Sequence, residues 1–403
     1  MTSPTAGVRA ARPPEEDLGR APEGTPLYVH LPFCVTKCHY CDFFSVPDEG
    51  QDIDGMVGTI LAEAEARAPW RPRTVFLGGG TPSLLSAAQL KRLLDGLDKL
   101  TEFRSSAVEI TAECNPESLD EDKAHAFLDL GVKRLSIGLQ SLSDETLKLF
   151  GRVHTAKESF EAFRAARRAG VKDLNVDVIY AAPGQTEDSY TTDIAKILDL
   201  QPDHLSAYNL TFEEETRFQR WLKEGKVSKA PDELELALFY ITRERLQEAG
   251  LGAYEISNYS SSGRECQHNI NYWRNGHYVG LGPGAVSHVN GSRGGNPRSI
   301  APYRRWVKAA GHATQWRETL SPQARLGETW WLGLRLSTGI DPAEALATAG
   351  LPKSPEALEA VIASLLDTGH LERAQERLRL TPLGLPLADA VASKFLGAAE
   401  VGA

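Results

Sequence analysis

Residues 26–42 of the chain read PLYVHLPFCVTKCHYCD, in which a short β-rich run leads directly into a group of cysteines. The branched and aromatic residues of Pro26–Leu31 favour a strand. Cys34, Cys38 and Cys41 follow this run with the spacing C-x3-C-x2-C. A 4Fe–4S cube normally takes one thiolate on each iron, so three close cysteines can hold three corners and leave the last iron open.

The same spacing also suits a zinc site, in which His39 or a distant cysteine would supply the fourth ligand. An open iron would instead be a place for chemistry, as the open position of a catalytic zinc site is. The amino and carboxylate groups of S-adenosylmethionine (SAM) can chelate such an iron. One electron from the cluster can then cleave the sulfonium and give a carbon radical. The spacing alone leaves both sites open.

Downstream of the cysteines, β-rich and helical patterns alternate along the chain. Such alternation indicates a parallel sheet covered by helices. Six strand–helix units predict an α/β fold built on a partial (β/α)6 barrel, short of the usual eight units. The predicted strands are Pro26–Leu31, Thr74–Leu77, Val108–Glu113, Lys133–Gly138, Asp173–Tyr180 and Asp203–Leu210.

Glycine and polar residues stand where four of these strands end. Gly78–Gly80, Glu113, Gln140 and Asp177 lie at or just past the predicted carboxyl ends. That edge is the functional face of a parallel barrel, so we expect these groups to converge on one ligand. Asp177 is enclosed by apolar residues in its strand, and a buried carboxylate needs a partner such as a ribose hydroxyl.

The sequence changes character beyond residue 231. We predict a disordered leader at 1–25, a barrel at 26–231, an irregular extension at 232–319 and a small, mostly helical C-terminal domain at 320–403. The C-terminal domain contains a hairpin-like run, Gly369–Thr381, between two helices, an order similar to that of a winged-helix module. Because this domain has no marked basic excess, a packing or lid role is favoured over DNA binding.

Charge and hydropathy narrow the class of protein. The net charge is −10 and no long basic run occurs, so nucleic acid is not an expected partner. No run reaches the ~18 apolar residues of a membrane span, and the N-terminus lacks the apolar core of a signal peptide, so we expect a cytoplasmic protein. An odd total of five cysteines argues against a disulfide framework. Cys114 and Cys266 are expected to be buried free thiols.

Several motifs in a fixed order give the chain a family resemblance. The cysteine loop, with Tyr40 before its last cysteine, is similar to the signature of radical-SAM enzymes. The whole set resembles the oxygen-independent coproporphyrinogen III oxidase family, and within it the haem-chaperone (HemW-like) branch. The other motifs are GGGTPS (78–83), ECNP (113–116), RLSIGLQS (134–141), GRVH (151–154), DVIY (177–180) and HNINYW (268–273).

The resemblance implies a 4Fe–4S cluster on Cys34, Cys38 and Cys41, with SAM bound at the open iron. It places the amino-acid end of SAM on the glycine turn and pairs the SAM carboxylate with Arg152. It assigns no catalytic residue. The implied cofactor-binding residues are Tyr28, Tyr40, Gly79, Gly80, Thr81, Glu113, Gln140, Arg152, Asp177 and Val286.

Three features favour the haem-chaperone branch. The oxidases carry a fourth cysteine two positions after the third, where this chain has Phe43, and they have a longer ordered segment ahead of the loop. The His268-Asn-x-x-Tyr272-Trp273 motif resembles the chaperone branch, whose members are thought to bind haem and pass it to haemoproteins, often at a membrane surface. Imidazole is a good axial ligand for haem iron, so His268 is a candidate haem ligand.

The resemblance therefore predicts haem as cargo and client haemoproteins and an electron donor as partners, with peripheral membrane contact. The scaffold would be able to cleave SAM, and we expect no coproporphyrinogen oxidase activity. Two alternatives stay open. One is an oxygen-independent coproporphyrinogen III oxidase, which decarboxylates propionates oxidatively. The other is a radical-SAM methyltransferase.

Overall fold

A mostly parallel sheet forms the centre of the protein. The computed structural model describes residues 17–68 and 70–400. The strands are β1 (Leu27–Leu31), β2 (Phe33–Cys34), β3 (Val46–Pro47), β4 (Thr74–Gly79), β5 (Glu109–Cys114), β6 (Arg134–Gln140), β7 (Asp173–Tyr180), β8 (His204–Asn209), β9 (Gly252–Ala253), β10 (Asn258–Ser260), β11 (Val279–Leu281), β12 (Val286–Val289), β13 (Ser292–Gly295), β14 (Trp316–Thr319), β15 (Leu371–Ala374) and β16 (Arg377–Leu380).

Helices cover this sheet and build the C-terminal domain. The α-helices are α1 (Ile53–Arg67), α2 (Ala87–Thr101), α3 (Phe103–Ser106), α4 (Glu121–Asp129), α5 (Asp144–Phe150), α6 (Ala156–Arg168), α7 (Glu187–Leu198), α8 (Arg217–Lys223), α9 (Asp232–Glu248), α10 (Gln267–Trp273), α11 (Ile300–Ala310), α12 (Pro322–Gly333), α13 (Pro342–Ala349), α14 (Glu356–Asp367) and α15 (Ala388–Glu400). Capping boxes fix the starts of α2, α6 and α7, where the side chain of Ser86, Thr155 or Thr186 accepts a backbone N–H three residues on.

The six predicted strands are confirmed as the parallel core of the sheet. Within the described residues, nine strands pair in the order β11-β1-β4-β5-β6-β7-β8-β10-β9. Strands β1 and β4–β8 are parallel, as their helical crossovers require. The extension adds β11 in parallel beside β1 and β10 antiparallel beside β8. The barrel is therefore open, and the extension lines both of its edges.

Burial explains why these strands read as apolar runs. β4 and β6 are buried along nearly their whole length, because one face meets the barrel interior and the other meets the helices. The buried residues of β1, β4 and β6 belong to one hydrophobic cluster with those of α1, α2 and α4. This packing fixes where the strand ends lie, and so it positions the polar residues that follow them.

The C-terminal residues have a hydrophobic cluster of their own. It combines α12–α15 with the β15–β16 hairpin. At its centre Trp330 stacks on Phe395, with ring centroids 4.6 Å apart. The order of three helices, a hairpin and a last helix matches the winged-helix-like arrangement expected from the sequence. The boundary predicted at residue 320 falls just before α12.

The predicted disordered leader needs a correction for the part that the structure describes. Leu18 and Ala21 are buried, and Gly24 bridges to Pro72 ahead of β4. The apolar side chains of Leu18 and Ala21 are removed from water by packing against the barrel, and this burial orders residues 17–25. The rest of the predicted leader, residues 1–16, lies outside the described residues. Within the described ranges, none of the helices combines the length and the apolar character needed to span a membrane.

Candidate active site

The turn after β4 brings the backbone close to the end of β5. Gly79 has φ +94°, a conformation that side-chain-bearing residues rarely adopt, and its N–H donates to Glu113 Oε2 over 3.0 Å. A Cβ at Gly80 would lie 2.4 Å from the carbonyl oxygen of Leu31. Glycine at both positions therefore lets the β4 turn lie against β1 and the cysteine loop, as the predicted site requires.

The cysteine loop lies above these strand ends and is held by two neighbours. β2 pairs with β3, which anchors Cys34. The Thr81 hydroxyl donates to Cys34 Sγ over 3.5 Å, and Arg152 Nη1 donates to Cys38 Sγ over 3.5 Å. All three loop cysteines are free and only partly buried. The loop thus presents accessible sulfur atoms with donors arranged to stabilise negative charge, as a thiolate-bound cluster needs.

A zinc site on the cysteine loop would take His39 as its fourth ligand, but the ring of His39 is engaged elsewhere. His39 Nδ1 lies 2.9 Å from the carbonyl oxygen of Leu149, and Arg217 Nη1 donates to His39 Nε2 over 2.8 Å. Both ring nitrogens are therefore engaged away from the cysteines. In the described part of the chain, no group of three or more His, Cys, Asp or Glu side chains is arranged to hold a single metal ion. A 4Fe–4S cube would need each of the three thiolates to bind a different iron, and this assignment stays a prediction.

The two remaining cysteines lie elsewhere. Cys114 is buried at the end of β5, and Cys266 is buried with its Sγ donating to Glu109 over 3.3 Å. Burial raises the pKa of both thiols above its ordinary value, with Glu109 adding to the effect at Cys266. These side chains fill the core, as the sequence suggested.

Arg152 connects the loop to the strand ends. Its Nη2 donates to Asn115 Oδ1 over 2.7 Å and to the carbonyl oxygen of Gly138 over 2.8 Å. Asn115 Nδ2 donates in turn to the Thr81 hydroxyl over 2.9 Å. Asn115 was not among the predicted site residues, although the ECNP motif contains it. It positions both groups that donate to the cysteine sulfurs.

A cavity of about 280 Å³ opens at the strand ends, and we call it the strand-end cavity. Tyr28, Gly79, Glu113 and Asp177 from the predicted cofactor set line it. Thr111 also lines it, and its hydroxyl has no hydrogen-bond partner within the described residues. A buried polar atom without a partner is unusual. The cavity therefore offers both charge and unused hydrogen-bonding capacity to a ligand.

The two carboxylates of this cavity are held at raised pKa values. Burial, followed by the charge of Asp177, raises the pKa of Glu113 to about 8. Burial also raises the pKa of Asp177, although hydrogen bonds from Ser136, Ser206 and Asn175 oppose the shift. Ser136 donates to Asp177 Oδ2 over 2.8 Å, and Asn175 Nδ2 donates to Oδ1 over 2.8 Å. Arg134 also lines the cavity and opposes the shift at Asp177. A positively charged ligand can still pair with these two buried acids, and SAM carries a sulfonium and an ammonium group.

The network behind Asp177 was not visible in the sequence. Asn175 Oδ1 lies 2.6 Å from His204 Nδ1, and His204 Nε2 lies 2.9 Å from the Tyr254 hydroxyl. His204 is on β8 and Tyr254 follows β9, so the chain alone does not reveal that they meet. The period-two pattern of β7 does place Asn175 and Asp177 on one face, which was a usable signal.

The other predicted cofactor residues, Tyr40, Gln140 and Val286, do not line the strand-end cavity. Tyr40 packs edge-on against Phe150 with centroids 5.1 Å apart. Gln140 ends β6 with φ +65°, a strained value for a residue with a side chain. Val286 lies on β12 in a different cavity from Glu113 and Asp177. Their contacts with SAM stay predictions.

A second cavity, of about 420 Å³, adjoins the first, and we call it the aromatic cavity. Tyr28, Phe43 and Tyr272 line both cavities. Phe43, at the position where the oxidases have a cysteine, is 65% exposed and stands between the two spaces. The remaining wall comes from the barrel segment, through residues such as His30 and Phe44, from the extension, through residues such as Tyr278, and from α12, through Trp331 and Leu332.

His268, the candidate haem ligand, is fully engaged. Its Nδ1 lies 2.8 Å from the Thr74 hydroxyl, and its Nε2 lies 2.9 Å from the Tyr272 hydroxyl. Burial lowers the pKa of His268 to about 3, so the ring is neutral. Haem ligation by His268 would require the loss of one of these hydrogen bonds, and the structure therefore gives this prediction no support.

Comparisons with known proteins cover most of the chain. A family model described as "Radical SAM superfamily" matches residues 28–197, and one described as "HemN C-terminal domain" matches residues 320–387. The "Heme chaperone HemW" of Bacillus subtilis is 32% identical over 376 residues, which are 92% of this chain and 98% of the relative. The Escherichia coli protein of the same name is 39% identical over 269 residues, covering 65% and 70% of the two chains.

A solved structure supports the fold. The coproporphyrinogen III oxidase HemN of Escherichia coli, described as a radical-SAM enzyme, superposes with a TM-score of 0.82. The match covers 93% of this chain and 91% of that one at 23% identity. At this identity the likeness concerns the fold, including the C-terminal part, and the similarity to the chaperones carries the family.

Proposed function

Because the chain belongs to the HemW family of radical-SAM haem chaperones, we propose that it binds haem and delivers it to client haemoproteins. Membership of the radical-SAM superfamily gives it a 4Fe–4S cluster and SAM as cofactors. One structural observation carries the proposal. Among the described residues, the acidic strand-end cavity and the larger aromatic cavity adjoin each other and share Tyr28, Phe43 and Tyr272. SAM, a charged cofactor, would bind in the strand-end cavity, and haem, an apolar cargo, would bind in the aromatic cavity.

The residues of the chain have separate tasks in this proposal. Cys34, Cys38 and Cys41 would hold the cluster, and Arg152 would offset the negative charge of its thiolates. When bound, the cluster and SAM supply one-electron chemistry at the sulfonium. Glu113 and Asp177 would bind the cationic groups of SAM, and the glycine turn would allow its close approach. The C-terminal helix α12 would close the aromatic cavity from above.

The oxidase alternative is disfavoured at Phe43. An aromatic ring stands at the mouth of both cavities, where the oxidases have a cysteine. Radical abstraction from a propionate tolerates little misplacement, so altered walls would abolish turnover even if a porphyrin entered. We therefore propose that coproporphyrinogen III is not decarboxylated. The methyltransferase alternative needs a second SAM, and methyl transfer from labelled SAM would reveal it.

The proposal also names protein partners, a membrane contact and a cellular compartment. Its partners would be client haemoproteins, an electron donor that reduces the cluster, and a membrane surface contacted peripherally. The setting would be the cytoplasm. The net charge of −10 disfavours adsorption on anionic lipid, so a membrane contact would have to be made through a protein partner.

The test is haem delivery itself. Cluster-loaded protein is charged with haem anaerobically and mixed with an excess of an apo-haemoprotein whose holo spectrum differs. We expect the spectrum of the recipient to appear faster than with an equal amount of free haem sequestered by albumin. In parallel, coproporphyrinogen III with SAM and reductant should give no vinyl-bearing product. Haem that stays on the chain, or vinyl product, would contradict the proposal.

A further inference from the structure

We propose that His288, on β12, is the axial ligand of the haem iron and that haem binds in the aromatic cavity. This inference rests on the proposed haem-binding function and assigns its site. The sequence motif that resembles the chaperone branch, His268–Trp273, lies beside this cavity but leaves its own histidine fully engaged. The ligand must therefore come from another element.

The backbone around His288 is rigidly held. His288 and Tyr278 exchange both backbone hydrogen bonds, at 2.8 and 2.9 Å, in an antiparallel bridge. β12 then continues into the pairing with β13. The ring of His288 lines the aromatic cavity, yet the residue is only 2% exposed. A ligand on such a frame keeps its direction without a cost in side-chain entropy when the iron binds.

The hydrogen bonding of His288 fixes its tautomer. Nδ1 lies 3.2 Å from the carbonyl oxygen of Gly276, which can only accept, so Nδ1 carries the proton. Nε2 then has a free lone pair, and it makes no hydrogen bond within the described residues. Burial, followed by the charges of His277 and Arg325, lowers the pKa of His288 to about 4, so the ring stays neutral. A neutral imidazole oriented by a backbone carbonyl is the usual form of a metal-binding histidine.

The other groups on the cavity wall are less suitable as ligands. Both nitrogens of His30 are engaged, Nδ1 by the Tyr28 hydroxyl at 2.9 Å and Nε2 by the carbonyl oxygen of Phe44 at 2.7 Å. A tyrosine binds haem iron as the phenolate, and burial raises the pKa of Tyr278 to about 12. Burial also raises the pKa of Tyr28 and Tyr272. Of these wall residues, His288 is thus the one with a neutral ring and a free nitrogen lone pair for the iron.

The walls suit a flat apolar macrocycle with acidic edges. Phe43, Phe44, Tyr278, Trp331 and Leu332 contribute apolar surface, and the volume of about 420 Å³ lies in the range of small-molecule sites, roughly 300–1,000 Å³. Arg298 stands at the mouth, where its side chain is 57% exposed and pairs with Asp42 at 3.4 Å. A haem propionate could replace Asp42 as its partner.

The test compares His288→Gly with wild type, both loaded with the cluster. Haem is titrated anaerobically, and difference spectra are recorded against the same protein without haem. We expect a Soret shift at one haem per chain in wild type and about tenfold weaker binding, or more, in His288→Gly, as for the loss of a metal ligand contact. Added imidazole should restore the wild-type spectrum of this variant. Because imidazole rescues only a folded cavity, recovery also shows that the variant folds.

Two further variants keep the inference falsifiable. His277→Gly is the matched control, since its ring lies 5.7 Å from that of His288 without lining the cavity, and it should bind haem like wild type. His288→Met should change the spectrum to that of a thioether ligand. If wild type shows no Soret shift, the proposed function fails. If wild type binds haem, and both His288→Gly and His288→Met bind it with the spectrum and affinity of wild type, the proposed function stands and the ligand assignment fails.

Discussion

Arg152 and Asn115 show how single side chains join two parts of the site. Arg152 reaches Cys38 and the end of β6, while Asn115 links Arg152 to Thr81 and so to Cys34. The sequence showed Arg152 as a charge within a motif, and it could not show that its partner is the side-chain amide of Asn115, which directly follows β5. A buried guanidinium with carbonyl, amide and sulfur partners is a positioning group for the cluster loop.

The cluster prediction belongs to this scale. Changing Cys34, Cys38 or Cys41 to Ala should remove the cluster, because each thiolate holds one iron. Cys114→Ala and Cys266→Ala should keep it, since both thiols are buried elsewhere. Iron and sulfide analysis after anaerobic reconstitution measures how much cluster each variant holds. We expect about four irons per chain in wild type. Tightly bound zinc without sulfide would refute the cluster.

SAM binding gives a second prediction. Asp177→Ala should weaken SAM binding by about 1–3 kcal/mol if a hydrogen bond to a charged group is lost, and Arg152→Ala should do the same. Iron content should stay unchanged in Asp177→Ala. Because Arg152 contacts Cys38, the Arg152→Ala protein is compared only at equal cluster loading, as checked by iron analysis. Asp188→Ala, an exposed aspartate on α7, is the control. Isothermal titration of cluster-loaded protein measures the affinities, and equal values in all four proteins would remove both residues from the SAM site.

The raised pKa of Glu113 makes SAM binding depend on pH. Without SAM the carboxyl is half protonated at about pH 8. A bound cation favours the carboxylate and lowers this pKa, so binding releases a proton and affinity should rise as the pH increases toward 8. SAM has its own titrating amino group, so the comparison is with Glu113→Gln. The part of the pH dependence that disappears in this variant belongs to Glu113, and identical profiles would contradict the assignment.

At the scale of elements, the sequence predicted local order well and long-range pairing poorly. All six barrel strands were found, because each is a β-rich run in which most residues are buried. The extension looked irregular, since its strands have only two to four residues and several of them contain glycine. Their partners lie far away in the chain, as β11 beside β1 shows, and periodicity carries no information about such partners.

One buried charge ties the extension to the barrel. Glu63 on α1 is fully buried and accepts from Gly282 N–H, Asn296 Nδ2 and the Tyr303 hydroxyl. Tyr303→Phe leaves one hydrogen bond of this carboxylate unmade, so the free energy of unfolding should fall by about 1–3 kcal/mol. Urea denaturation measures the change. Tyr240→Phe is the control, because its hydroxyl is exposed and makes a long 3.4 Å bond. Equal losses would show that the Glu63 network does not hold the extension.

At the scale of the whole molecule, the two cavities of the proposed function lie where three segments meet. The barrel supplies the acidic strand-end cavity, the extension supplies His288 and Tyr278, and α12 of the C-terminal domain supplies Trp331. The sequence motifs predicted site residues in the first segment, and Tyr28, Gly79, Glu113 and Asp177 among them line the strand-end cavity. They missed the aromatic cavity, because its wall is assembled from residues hundreds of positions apart that carry no shared pattern.

Anaerobic titration of haem into the cluster-loaded protein decides whether the chain acts as a haem chaperone. We expect a Soret band distinct from that of free haem, saturating at one haem per chain, in a protein that yields no vinyl product from coproporphyrinogen III. A Soret band identical to that of free haem at every ratio would contradict it.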